Sequence, residues 1–366
     1  MKFSEFLRKK DIEFSAKRYF VDAMGAMAHG LFASLLIGTI LKSIGLIPHL
    51  EIFAQIGAYA QAVAGSAMAV AIANALHAPP FVMYSAAAVG YAANALGGAG
   101  GPIAVFFITL IATELGKLIS KETKVDIIVT PFVTVVSGSV LSVFVAPLIG
   151  KLVGYLSNSI GWATTQQPLV LGILVSVIMG IALTLPISSA AICAGLGLSG
   201  MIQLAADGSM LNLNYEGLAL AGGAAVAGCC AHMVGFAVMS FKENGIGGLV
   251  SQGIGTSMIQ MPNLIKNPWL WLPPVLTSAI TGPLATCVFG LKMYGAAINS
   301  GMGTCGLLGP IGIILGWFSG EYPNTVGALD YIGLVLICFI LPAILSTVFC
   351  MVFRKIGLIK ENDLKL

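Results

Sequence analysis

The chain has 366 residues, of which 57% are hydrophobic and only 9% charged, with a mean hydropathy of +0.95. A soluble domain carries about 25% charged residues, so the composition excludes a soluble enzyme or binding module and implies an all-α polytopic membrane protein. A formal net charge of +3 carries no nucleic-acid signature.

At the N-terminus, Lys2, Arg8, Lys9, Lys10, Lys17 and Arg18 alternate with Phe3, Phe6, Leu7, Ile12 and Phe14. Residues 1–19 therefore predict a helix lying in the membrane interface, with no signal-peptide pattern. Arg354, Lys355, Lys360 and Lys365 make the 354–366 tail basic as well. By the positive-inside rule both termini and the Lys117/Lys121/Lys124 loop face the cytoplasm, and the number of crossings is even.

Between these ends, apolar runs predict about ten spans, each long enough for a core of roughly 30 Å. They fall near 20–45, 52–76, 80–97, 102–118, 127–150, 168–190, 217–241, 270–291, 305–319 and 329–353. In the first, Asp22 and His29 share one helix face; they read as a proton relay or as an end-of-helix carboxylate with a separate interhelical histidine. The Gly100-Gly101-Pro102 break joins two spans, and Glu114 with Lys117 forms an i,i+3 pair. Residues 151–167 predict an amphipathic connector between five regular spans (20–150) and a less regular half (168–353).

That second half holds two broken stretches, 193–215 and 243–268, rich in glycine and amides. Re-entrant hairpins and discontinuous transporter helices have this character. Dense glycine such as 97–101 GGAGG and 245–248 GIGG survives at membrane depth only when buried in protein or lining a cavity. Pro186 with Ser188 and Ser189 breaks a helix beside the first stretch, whose Asp207, Asn212, Asn214 and Glu216 suit a solvated tip or gating contacts.

The second stretch carries Ser251, Gln252, Thr256, Ser257, Gln260, Asn263 and Asn267. Amides and hydroxyls that donate and accept at once suit a polyhydroxyl guest; the alternative is that they cap broken helix ends. His232 lies inside a span, where an ionisable residue is a functional hypothesis by default. Lys242, Glu243 and Asn244 stand at the junction of span and hairpin. Glu243 there is either a guest-binding carboxylate and general base or half of an interfacial ion pair. The seven cysteines have no CxxC spacing and read as small buried hydrophobes, with no metal, disulfide or cofactor expected. No nucleophile elbow, HExxH or P-loop appears.

The order of 226–241 VAGCCAHMVGFAVMSF, 243–263 ENGIGGLVSQGIGTSMIQMPN and 267–286 NPWLWLPPVLTSAITGPLAT resembles the membrane subunit, enzyme IIC, of bacterial sugar phosphotransferase systems. The likeness is strongest to a stand-alone branch that includes the perfringolysin O regulatory protein. It is specific over roughly 215–315 and architectural elsewhere. The resemblance implies a glucose-type enzyme IIC-like homodimer in the bacterial cytoplasmic membrane, with 20–150 as scaffold and 168–353 as the moving, sugar-binding domain. It implies a separate cytoplasmic enzyme IIB as phosphoryl donor, because this chain has no soluble domain. His232 would match the family's histidine that holds sugar hydroxyls and aids phosphoryl transfer, a catalytic as well as a substrate-binding role. Glu243 is the counterpart of the glutamate of an Asn-Glu-Pro hairpin, but here the sequence is Glu243-Asn244-Gly245. Phosphotransfer permease and membrane-embedded sensor or facilitator both remain open on this reading.

Overall fold

A computed structural model describes residues 3–45, 49–164, 166–200, 215–318, 322–323 and 325–366. Asp207, Asn212 and Asn214, with most of the first expected hairpin, lie outside the described residues. Among those described, all regular structure is helical. Five helices are long and apolar enough to cross a membrane, or six if the bent pair Ile52–Ala62 and Ala64–Ala75 is one span. The protein is a polytopic helical membrane protein.

Its chain contacts divide it into Met1–Val153 and Gly154–Leu366. In the first unit, the helical stretch Pro80–Ile119 is 40 residues long. As one straight helix it would measure about 60 Å, twice the hydrocarbon thickness. Gly98, at φ +52° and ψ −125°, breaks it, and Pro102 restarts helix in a first turn that needs no N–H. Pro80–Gly97 and Gly101–Ile119 then fold back on each other. A Cβ on Gly116, near the end of the second, would lie 2.9 Å from Val82 Cγ1 near the start of the first. The glycine-proline break thus joins two helices, where sequence placed it.

The N-terminal segment is anchored by charge. Asp11 accepts from Arg18 Nη1 at 3.1 Å and Nη2 at 2.8 Å, and lies 2.9 Å from His77 Nδ1. Arg18 Nη2 and the buried Lys117 Nζ both donate to Leu76 O, at 2.8 and 2.9 Å. Two cations thus sit on the carbonyl end of the helix Ala64–Ala75, where the helix dipole favours them. Lys117 also pairs with Glu114 at 3.2 Å. Asp22 and His29 are both exposed in this chain, and no hydrogen bond joins them among the described residues.

The hydrogen bonds from Arg18, then those from His77, hold the Asp11 carboxyl at about 2 against the opposing effect of burial. A folded value below the ordinary 3.8 means that the stabilisation is complete above about pH 4 and disappears as pH falls towards 2. Asp11→Asn should therefore lower the thermal midpoint at neutral pH, and the gap to the parent should close between pH 4 and 2. A gap independent of pH would remove this pair from the fold's acid response.

The second unit is built around Tyr215–Met239, whose side chains are buried on every face. Its run of Ala, Gly and Cys lets neighbouring backbones approach closely, as membrane helices require without a hydrophobic driving force between them. Pro168–Thr184 packs at Gly228, where an added Cβ would lie 2.5 Å from Ser176 C. Leu272–Pro283 and Leu341–Ile356 meet at Gly235, close to Pro274 and Ser346.

Three sequence expectations shift. The amphipathic connector is helical through residue 163, as the continuation of Asp126–Ala163; sequence polarity marked a change of surroundings, which does not by itself end a helix. The span expected at 270–291 leaves helical geometry after Val288. Leu291, Met293 and Tyr294 then run buried through the unit, with Met293 N donating to Ala219 O at 2.9 Å and Met293 O accepting from Gly200 N at 2.8 Å. The span expected at 305–319 is regular only over Leu308–Trp317, behind left-handed Gly303, Gly306 and Leu307.

Candidate functional site

The second broken stretch is divided into Phe241–Val250, Ser251–Gly255, Ser257–Gln260, Met261–Lys266 and Pro268–Trp271. Gly245, at φ +58° and ψ −152°, kinks the first piece. Thr256 is extended and its Oγ1 accepts from Met258 N at 3.2 Å; Asn267 Oδ1 accepts from Trp269 N at 3.2 Å. Pro262 and Pro268 occupy first turns. The hairpin is therefore punctuated by caps and prolines, and its remaining polar side chains fall into two groups.

The first group surrounds His232, which is fully buried. Its Nδ1 lies 2.9 Å from Thr184 Oγ1, which in turn lies 3.0 Å from Ser257 Oγ and 3.1 Å from Gly180 O. Thr184 has one proton and can spend it on Gly180 O, its carbonyl one turn back. His232 Nδ1–H and the Ser257 hydroxyl then donate to Thr184 Oγ1, and all three contacts are satisfied. That assignment leaves His232 Nε2 as an acceptor, and among the described residues no hydrogen-bond partner reaches it. Phe236 stands edge-on, with ring centroids 6.1 Å apart. The glycine at 180 makes room for the ring: a Cβ there would lie 2.8 Å from Nε2. An unpartnered buried polar atom costs about 1–3 kcal/mol, and such an atom in a native core calls for an explanation.

The second group is a ladder of amides. Gln252 Nε2 donates to Ser240 Oγ at 2.7 Å and to Gly248 O at 3.1 Å. Gln260 Nε2 donates to Gln252 Oε1 at 2.9 Å, and Asn263 Nδ2 donates to Gln260 Oε1 at 2.8 Å. The ladder continues onto the last residues of the sequence: Gln260 Nε2 and Asn244 Nδ2 donate to Leu364 O at 3.0 and 2.8 Å, and Asn263 Nδ2 donates to Lys365 O at 2.9 Å. Gln252, Gln260 and Ser257 are fully buried.

Of the residues singled out from sequence, His232 and Ser257 meet directly through Thr184. Gln252, Gln260 and Asn263 are linked in series, and Gln260, Asn263 and Asn244 bond the tail. Thr256 and Ser251 serve the backbone, the latter by donating to Gly248 O at 3.3 Å. Glu243 is nearly buried and engaged by Arg354 Nη2, while Lys242 pairs with Glu361 at 2.8 Å. The ion-pair alternative for this junction is thus the geometry observed. Glu216 pairs with Lys292 at 2.7 Å.

Sequence reasoning passed over Thr184 and Thr304, the latter a buried hydroxyl without a hydrogen-bond partner among the described residues, in the irregular stretch beside Cys229. The signal available for Thr184 was its place just before Pro186, where a helix ends and a side chain is free to serve a neighbour. All seven cysteines are free thiols, and among the described residues no three metal-ligating side chains gather.

Residues 21–366 match the family model described as "Phosphotransferase system, EIIC". No curated protein and no solved structure matches.

Proposed function

The chain belongs to the phosphotransferase-system EIIC family, and from that premise we propose that it is the solute-conducting component of such a system, carrying a sugar across the bacterial cytoplasmic membrane by alternating access. The observation that carries the reading is the Nε2 of His232, which has no hydrogen-bond partner among the described residues, in a ring buried in Tyr215–Met239 and tied through Thr184 to Ser257 on a broken stretch. A sugar hydroxyl can donate to that nitrogen, and the Ser257 and Thr184 hydroxyls can re-pair around the guest at little cost. Ten crossings follow if the five long helices are taken with 80–119 as two, the bent pair Ile52–Ala62 and Ala64–Ala75 as one, and Pro168–Thr184, 272–288 and Cys305–Trp317 as one each. Ten is even, in keeping with basic cytoplasmic segments at both ends. A homodimer joined through residues 20–150, with 168–353 moving against it, completes the proposal.

Phosphoryl transfer would come from a separate enzyme IIB-like protein. The sugar hydroxyl attacks phosphorus, the bond from phosphorus to the partner's residue breaks, and the hydroxyl proton passes to a base. His232 Nε2, buried and without a partner among the described residues, is the base proposed for that proton; Glu243 is engaged by Arg354. That engagement, with the Glu243-Asn244-Gly245 sequence, favours a second reading in which the same pathway senses or facilitates without phosphorylation. Proteoliposomes supplied with a phosphorylated enzyme IIB and labelled sugars separate the two. Sugar phosphate inside is the expected result. Free sugar inside would leave the facilitator, and no uptake of any sugar would overturn conduction.

A further inference from the structure

The amides Asn244, Gln260, Asn263 and Asn267 are spanned by the last nine residues of the sequence, LIKENDLKL. The helix Leu341–Ile356 ends at left-handed Gly357, which reverses the chain. A turn follows, closed by Lys360 N donating to Asp363 Oδ2 at 2.8 Å. The segment then crosses the hairpin. Asn267 Nδ2 donates to Leu358 O at 2.9 Å and to Asp363 Oδ2 at 2.8 Å. Asn244 grips the main chain twice, donating to Leu364 O and accepting from Leu366 N at 2.9 Å. Gln260 and Asn263 hold Leu364 O and Lys365 O, and Lys242 holds Glu361. Two apolar anchors, Ile359 and Leu364, are buried beneath.

We propose that the hairpin amides Asn244, Gln260, Asn263 and Asn267 form a docking site for an extended peptide, and that residues 358–366 are a detachable strap that pins the hairpin through it. The chemistry fits reversible docking. Most of the bonds join a side-chain amide to peptide main chain, so water can replace them on either side. Four of the nine strap residues are charged in a chain that is 9% charged, so the released strap is soluble in water. The bonds also transmit. Leu364 O is held by Gln260, which stands three residues from Ser257, and Ser257 bonds Thr184 beside His232. Holding the strap therefore fixes the part of the hairpin that bonds Thr184 beside the imidazole; releasing it frees that part to move. The consequence for sugar passage rests on the function proposed above, whereas the docking itself does not.

The test reads the hairpin directly. In a Cys287→Ser background, which removes the one exposed thiol among the described cysteines, Gln260→Cys places a thiol under the strap. The bond Gln260 contributes is lost in both arms. With the strap intact, a water-soluble maleimide should label slowly. Leu364→Asp, which drives a charge into a buried anchor position, should raise the rate at least tenfold. Truncation after Gly357 should do the same, and adding the synthetic peptide LIKENDLKL should return the truncated protein to slow labelling, whereas a scrambled peptide should not. Equal rates with and without the strap, or a peptide that gives no protection, would overturn the proposal. A protein that passes these tests but conducts no sugar would leave the strap standing and remove only the transport reading.

Discussion

Replacing His232 with alanine is expected to weaken sugar binding by roughly 5- to 150-fold, the equivalent of a buried hydrogen bond of about 1–3 kcal/mol. The imidazole offers a guest an unpartnered ring nitrogen, because Nδ1 is committed to Thr184 at 2.9 Å while Nε2 has no partner among the described residues. Stability should respond differently. Alanine removes the Thr184 bond and leaves a cavity, but it also removes an atom that was buried unpaired, so the opposing effects partly cancel. Affinity measured on purified protein, beside the thermal midpoint of the same sample, separates the two roles. A large fall in the midpoint with unchanged affinity would make His232 a packing residue. Thr184→Val, which keeps the shape and removes the hydroxyl, should lower affinity less than His232→Ala, since it leaves Nε2 in place and loosens only its support.

Gly228→Ala should be among the most destabilising single-methyl changes in the chain. The new Cβ would sit 2.5 Å from Ser176 C and 2.6 Å from Ser176 Cα. These are backbone atoms, so no side chain can rotate away, and the helices Tyr215–Met239 and Pro168–Thr184 must separate. Overpacking of this kind costs about 1–3 kcal/mol, and a rigid neighbour places this site towards the upper end. The same separation would pull Gly180 and Thr184 away from His232, so binding should fail with stability. Gly247→Ala supplies the contrast. It lies in the helical hairpin piece with nothing within 4 Å of the added carbon, and alanine is the better helix former by up to about 1 kcal/mol. Thermal unfolding of the two variants in detergent should move in opposite directions or differ by the full clash. A Gly228→Ala protein as stable as its parent would mean that the two backbones are not in contact.

By itself the sequence determined the membrane class, the paired helices around Gly100-Gly101-Pro102, the Glu114–Lys117 pair and the breaks of the second hairpin. Each of these is written in neighbouring residues: hydropathy over one span, an i,i+3 spacing, or a glycine or proline whose own backbone dictates a break. It also carried the family, through the order of a histidine span, a glycine-rich hairpin and an Asn-Pro helix. Only the tertiary structure decided how the polar residues divide. Thr184 meets His232 across 48 residues, Gln260 reaches Leu364 across 104, and Arg354 takes Glu243 across 111. A buried amide must find a partner, but its residue type does not say which one; that choice belongs to the helix packing that brings distant segments within 3 Å. The same packing threads residues 291–294 through the interior, where apolar composition alone reads as the end of a span.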